Sequence, residues 1–522
     1  MTIGSSAAAL FLSVAACGST ATVTPDAGAP DAGAPDAGTP DAGAPDAALP
    51  APVGPFPTGF QWGTAIAPYQ VEGGLHGDDW FRWETLCGSN CSGQHADDGP
   101  DFWDHYDEDF ARAEALGTNA IRLGIDWSRV FPTAGGAPDA DAVAHYHAIL
   151  ASARQHHLLP MVTLHHFATP TWLMDLDDLA HKPGWEDPAI VPAFVDWATY
   201  CAGEFGGEVD WWVTINEPFA YISGGYLSGT FPPGRVLDVA AASKVAQNML
   251  DAAAQAYDAI HAHDTVDADG DGKAALVSFA THNRVFLPLD PASAADMAAA
   301  DTIRKLNNLL FLEALVRGNV DLNFDGDTDD PDETDNAAYK GKLDWIGLNY
   351  YGVSLVQALP GGTFPLVGLP FISDLDNLGL AGPLTDFGWT DYPQGFRPVL
   401  DEVAAYGLPI IVTENGIADA DDDQRPRFLI EHLYALARAI DDGLDIRGYY
   451  HWSLMDNFEW AAGYCPRFGL YRVDFTDPAR PRHMGAGAAV YRTIIQSNTV
   501  SPQLFAAYPT FPPPGLVCRS GF

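Results

Sequence analysis

Eight short apolar, β-rich runs recur along this chain, and helix-like stretches separate most of them. The runs span 59–65, 120–126, 160–166, 210–216, 274–282, 343–351, 408–413 and 446–453. Amphipathic stretches fall at 104–116, 140–156, 191–205, 239–263, 292–316 and 426–442. Strands that alternate with helices predict a parallel sheet covered by helices. Eight such units over one continuous region predict an α/β fold, a single (β/α)₈ TIM barrel with long βα loops. An open doubly wound sheet is the rival arrangement. No glycine-rich dinucleotide fingerprint follows the first run, so a nucleotide-binding version has no support.

The chain before the barrel has a different character. Residues 1–17 read as an export signal: an Ala-rich apolar run leads into Val14-Ala15-Ala16-Cys17. That tetrapeptide resembles a bacterial lipobox, with Cys17 as the site of a lipid anchor. No Lys or Arg precedes Arg82, so the usual basic start of a signal is missing. A five-residue repeat then begins at Pro25, Pro30, Pro35, Pro40 and Pro45. Pro, Gly, Ala and Asp cannot seed a core, so 18–52 is expected to be a low-complexity, disordered linker. The catalytic barrel is expected over 53–497, followed by a tail, 498–522, to which the sequence assigns no role. An exported protein, secreted or held at the cell envelope, is the expectation.

Composition excludes some partners. The formal charge is -43, with 26 Lys plus Arg against 69 Asp plus Glu. Such a surface repels nucleic acid and anionic lipid headgroups. Six cysteines are too few for a disulfide scaffold in a chain this long. Cys87 and Cys91 are close enough for a loop-closing bridge. Cys201, Cys465 and Cys518 cannot be paired from sequence.

The chemistry gathers where the strands end. In a barrel the C-terminal ends of the strands carry the active site. The third run ends in His165-His166, the fourth in Asn216-Glu217-Pro218, and the sixth in Asn349-Tyr350-Tyr351. The seventh ends in Glu414-Asn415-Gly416 and the eighth in Trp452-Ser453. A lone Glu after a strand is usually a solvated loop residue. Two at matching strand ends, each beside Asn, suit glycoside hydrolysis. One carboxyl donates a proton to the leaving oxygen, and the other attacks or activates water. Pairing alone leaves retention and inversion both open.

At these residues the chain resembles glycoside hydrolase family 1, the β-glucosidase and β-galactosidase family, over about 56–495. The motifs appear in order. They are the run 56–65 with Tyr69-Gln70 and Glu72-Gly73, Arg122 with Trp127-Ser128-Arg129, and Thr214-Ile215-Asn216-Glu217-Pro218. Thr413-Glu414-Asn415-Gly416 and the segment 452–460 with 467–474 complete the set. The resemblance implies a retaining exo-β-glycosidase working by double displacement. Glu414 would be the nucleophile and Glu217 the acid/base, with Arg122 and Tyr351 flanking Glu414. Gln70, His166, Asn216, Asn349, Glu459 and Trp460 would bind the sugar hydroxyls, Asn216 the 2-hydroxyl, and Trp452 would lie beneath the ring. No cofactor is implied for catalysis. His165, Trp127 and Trp185 read as packing residues.

Departures bear on specificity. Family members acting on 6-phosphorylated sugars lack the Glu-Trp pair, whereas Glu459 and Trp460 stand here, so a neutral sugar is expected. Myrosinase-type members lack the acid/base Glu, and partner-binding members have lost catalytic glutamates; both stand here. Phe167 replaces a more frequent Trp, which leaves glucose, galactose and fucose open. The expected substrates are β-glucosides or small β-linked oligosaccharides. The alternatives are a β-galactosidase, β-fucosidase or transglycosylase on the same scaffold, or a surface carbohydrate-binding protein without turnover.

Two acidic loops resemble calcium loops: Asp267, Asp269 and Asp271 before Gly272, and Asp321, Asn323 and Asp325 before Gly326, with Asp332 twelfth. Each precedes a strand. Both are therefore expected at the barrel face away from catalysis and close to each other, as structural calcium sites serving stability.

Overall fold

A computed structural model describes residues 49–88, 91–328, 333–358, 371–372 and 381–518. The signal with Cys17, nearly all of the linker and Asp332 lie outside the described residues. Eight strands appear where eight runs were read: β1 (Gln61–Ala65), β2 (Ala120–Gly124), β3 (Leu159–His165), β4 (Trp211–Asn216), β5 (Leu276–Pro288), β6 (Ile346–Ala358), β7 (Ile410–Asn415) and β8 (Ile446–Trp452). Each pairs in parallel with its neighbour, and β8 pairs with β1. The sheet therefore closes on itself, and the open-sheet rival is excluded.

One main helix follows each strand: α1 (Phe102–Leu116), α2 (Ala140–Gln155), α3 (Ile190–Phe205), α4 (Val239–His263), α5 (Ala294–Arg304), α6 (Phe396–Ala404), α7 (Arg425–Asp441) and α8 (Ala486–Ser497). Their starts are written locally. The Asp139, Asp238 and Ser293 side chains accept from the first free N–H groups of α2, α4 and α5. Gly117 ends α1 at φ 88, a left-handed conformation that glycine adopts cheaply.

Alternation sorts the core into two layers. Ala120, Trp211, Val213, Ile411, Tyr450 and Trp452 belong to a cluster that fills the barrel. Their neighbours Ile121, Trp212, Val412 and Tyr449 belong to the larger layer between strands and helices. Arg122 shares the inward side with Ala120, so a cation is placed inside the barrel.

The single helix expected over 292–316 is interrupted. After α5 the chain widens into π-helical turns at Lys305–Leu309 and Glu313–Arg317. Side-chain bonds at the first of these account for the change. Asn307 donates to the His282 carbonyl, and Asn308 donates to the Arg284 carbonyl and accepts from the Arg284 N–H. Those bonds tie the widened turn to β5.

The acidic loops are also placed differently from expectation. Ala268 and Asp269 donate backbone N–H bonds to Asp210, at the start of β4. That loop is on the face away from catalysis, as expected. The second loop accepts from Ser243, in the first turns of α4, and stacks Phe324 against Phe219 just after β4. The two loops thus lie at opposite ends of α4. From Ser243 to His263, a helix rising 1.5 Å per residue runs roughly 30 Å. The long connection before β6 folds back along the helix, so preceding a strand in sequence does not place a loop at that strand's entrance.

The loop after β7 is fastened by Arg425, which is fully buried. Its guanidinium bonds the Asp422 carboxylate and the carbonyls of Asp419 and Arg467. Arg425→Met should lower stability by about 3–5 kcal/mol, because it leaves a buried acid without its cation. Urea unfolding of the variant against wild type checks this.

Candidate active site

Local breaks in register aim the catalytic side chains. The pairing of β6 with β7 slips between Leu348 and Asn349, and that of β7 with β8 between Val412 and Asn415. The pairing of β4 with β5 slips between Val213 and Asn216. Such irregularities bend a strand and redirect its side chains. Glu217 follows at φ 43, a left-handed conformation that costs a non-glycine residue about 1–2 kcal/mol. Asn216, Glu217, Asn349 and Glu414 therefore converge at one end of the barrel.

The bonds between them are specific. Arg122 donates one nitrogen to Glu414 and another to Asn216 Oδ1, at 2.7 Å for the latter. Its Nε is held by Thr163 at 3.0 Å. Tyr351 donates its phenol to the second Glu414 oxygen at 2.7 Å. Glu217 receives one bond, from Asn349 Nδ2 at 2.7 Å. Asn349 is oriented in turn by Thr413, whose hydroxyl donates to its carbonyl oxygen at 2.7 Å.

These surroundings divide the two carboxyls. Burial pushes both up, to about 7. Arg122 and the Tyr351 phenol pull Glu414 back toward ionisation, while Glu414 and Glu217 repel each other. Glu414 is thus hydrogen-bonded by a cation and a phenol, which favour its anion, whereas the Glu217 carboxyl receives a single neutral donor. A nucleophile needs the first setting and a general acid the second.

The remaining expected residues form the walls. Gln70 Nε2 donates to Asn457 Oδ1 at 3.0 Å and to the Phe458 carbonyl at 2.9 Å. His166 stacks on Trp452 and on Trp460, with ring centroids 5.8 and 5.9 Å apart. Trp452 donates its indole N–H to Glu459 at 3.2 Å. Burial, with Glu414 nearby, pushes Glu459 up to about 8. Asn216 Nδ2 bonds His166 Nε2 at 3.1 Å. Gln70 Oε1 and His166 Nδ1 are buried and have no protein partner, so they are free to receive hydroxyls.

Every catalytic and sugar-binding residue named from sequence lies in this one assembly. The acidic loops do not join it. Asp267 and Asp269 cluster with Asp210, their carboxylate oxygens within 4.8 Å. Asp325 and Asn323 bond each other. His165 accepts from the Trp185 indole at 3.2 Å and is held neutral by burial, with its pKa lowered to about 3. It is a core histidine. Phe167 packs against Phe231 and Trp460 at 5.4 and 5.1 Å.

Sequence reasoning missed Thr163, Thr413 and Asn457, which hold Arg122, Asn349 and Gln70. Thr413 and Asn457 stood within the motifs beside Glu414 and before Glu459, without a role read for either; Thr163 stood in no motif. It also missed Arg284 of β5, whose charge favours ionisation of Glu217.

A closed barrel with two carboxyls of unequal surroundings in one buried pocket suits a glycoside hydrolase. The profile of glycosyl hydrolase family 1 matches residues 53–500, and the chain belongs to that family. A β-galactosidase of Pyrococcus woesei is 33% identical over 507 residues, covering 85% of this chain and 98% of that one. A solved β-glycosidase from Pyrococcus horikoshii superposes with a TM-score of 0.75 at 32% identity, covering 87% of this chain and 98% of its own. A family 1 β-glucosidase from Thermotoga maritima gives 0.75 at 28% identity, covering 85% and 99%. The family is that of retaining β-glycosidases, and catalysis by its members needs no cofactor.

In the first step of the family's double displacement, Glu414 would attack the anomeric carbon while Glu217 protonates the departing oxygen. In the second, Glu217 would deprotonate water, which attacks the glycosyl ester at Glu414. Ester formation would remove the Glu414 charge beside Glu217, which favours the ionised form that a base needs.

The acidic limb of kcat/KM reports the first ionisation of this coupled pair. The Tyr351 bond favours the Glu414 anion, so losing it raises that pKa. Tyr351→Phe should move the acidic limb upward by about one unit, the equivalent of a charge-assisted hydrogen bond. A pH–rate profile of the variant checks the direction.

Proposed function

We propose that this enzyme is an exo-acting β-glycosidase that removes a neutral glucosyl residue from β-glucosides or short β-linked oligosaccharides. The observation that carries the reading is the buried pair Glu217 and Glu414 with opposite hydrogen-bond surroundings, set beside Glu459, Gln70 and His166. The wall opposite the pair supports a neutral sugar. Glu459 already receives the Trp452 indole N–H and sits in the field of Glu414, a setting that disfavours a phosphate group. The unpartnered Gln70 Oε1 and His166 Nδ1 suit hydroxyl groups.

A second reading, β-galactosidase, is favoured by the name of the Pyrococcus woesei relative. The two sugars differ in the orientation of one hydroxyl, and the same wall serves both.

We further propose that the enzyme is exported and tethered through Cys17 and the Pro-Asp-Ala-Gly-Ala linker. Two disulfides, Cys87–Cys91 and Cys465–Cys518, support an oxidising compartment.

A panel of nitrophenyl β-glycosides tests the substrate. The glucoside should show the highest kcat/KM, and a 6-phosphorylated glycoside should be a poor substrate. Preference for the galactoside would select the second reading. Glu217→Ala should lose about 10²–10⁴-fold on substrates with poor leaving groups. Azide, which needs no general base, should restore turnover of activated ones. No turnover of any aryl β-glycoside by wild type would overturn the proposal.

A further inference from the structure

We propose that the C-terminal tail is a covalent strap that positions the sugar-binding wall, with Cys465 and Cys518 as positioning residues for Glu459 and Trp460. The inference rests on the glycosidase reading and goes beyond it, because the family motifs end before the tail.

The tail follows a continuous path toward the active-site end of the barrel. Its helical turn Pro502–Ala507 packs on α7, with Phe505 against Tyr434 and beneath the Arg427 guanidinium. Arg427 then donates to the Tyr508 carbonyl at 2.9 Å. Gln424 donates to both the Pro512 and the Leu384 carbonyls, at 2.8 and 3.0 Å. Further on, the Leu516 N–H reaches the Asp386 carboxylate at 3.0 Å, and the Cys518 N–H reaches the Asp386 carbonyl at 2.7 Å. The disulfide to Cys465 ends the path.

The two things this strap joins both line the site. On one side is the loop around Asp386. It carries Trp389, whose ring lies 5.6 Å from that of Tyr351, the phenol bonded to Glu414. On the other side is the turn 459–465. Glu459 N–H donates to the Gly463 carbonyl at 2.8 Å, which makes Glu459 and Trp460 part of the same tight turn as Tyr464 and Cys465. Trp460 itself sits at φ 50, a conformation that its surroundings must hold in place.

The second bridge grips the same turn from outside. Just after Cys91, the Ser92 N–H donates to the Ala461 carbonyl at 2.7 Å, and Gln94 Oε1 accepts from the Tyr464 N–H at 2.9 Å. The Tyr464 hydroxyl donates to the His95 carbonyl at 2.8 Å. Two separated parts of the chain thus hold a turn of seven residues, and the tail supplies the covalent link.

Solvent can reach that link. A cavity of about 500 Å³ is lined by Tyr464, Cys465, Arg467 and Leu516. Cys465 is half-buried and Cys518 is buried, so a small thiol enters from the Cys465 side.

Two measurements on the full-length enzyme test the proposal. In the first, Cys518→Ser should raise KM for a nitrophenyl glycoside about threefold to tenfold while kcat stays within about twofold. Dithiothreitol should raise the KM of wild type to at least the same level. Cys87→Ser, with the strap intact, should retain a KM response to dithiothreitol. The second needs no turnover: amide exchange at Glu459, Gly463 and Tyr464 should accelerate in Cys518→Ser. Unchanged exchange at those amides, or an unchanged KM with only a lower melting temperature, would overturn the strap's positioning role. Absence of turnover by oxidised wild type would instead overturn the glycosidase reading, and exchange would still decide the strap.

Discussion

One buried ion pair organises this active site. Arg122 stands inside the barrel with its guanidinium shared between Glu414 and Asn216. A buried cation without a partner would be costly, and so would the nucleophile's charge without Arg122. Each is tolerable because the other is there. The same arginine fixes Asn216, which fixes His166, and Asn216 also receives Asn349, which holds Glu217. Through this network the positions of Glu414 and Glu217 are set together, although one lies in β7 and the other just after β4.

The barrel supplies what the pair requires. Closure of eight strands removes water from around the carboxyls and raises both pKa values, and the two carboxyls receive unequal donors. Precision comes from the places where regular structure fails. The strand registers slip beside Asn216, Asn349 and Glu414, and Glu217 takes a left-handed backbone. Regular alternation would point some of these side chains at the helices. The outer segments, by contrast, act on the sugar rather than on the proton. Glu459 and Trp460 stand on a turn that the loop after Cys91 and the tail hold from behind.

Much of this was legible in the sequence, for identifiable reasons. The eight strands announced themselves because strands buried on both faces need continuous apolar runs. The catalytic residues did so because they cluster in short motifs at strand ends. What stayed hidden depends on contacts across long separations. Cys465 and Cys518 are 53 residues apart, and no local pattern pairs them. Asn307 and Asn308 read as ordinary helical positions until β5 is beside them. The loop at Asp321 was expected near the loop at Asp267, yet it folds along α4 to the far end, driven by Phe324 packing on Phe219. Thr163 was invisible, and Asn457, though inside a motif, carried no readable role, because a supporting hydroxyl or amide has no signature of its own.

The central claim is that Glu414 attacks and Glu217 exchanges protons, which requires two inversions at the anomeric carbon. Proton NMR of the first sugar released from an aryl β-glycoside tests it most directly. The account predicts that the β-anomer appears first and then mutarotates. An initial α-anomer would mean that water attacks in a single step, and would contradict the assignment of Glu414 as nucleophile.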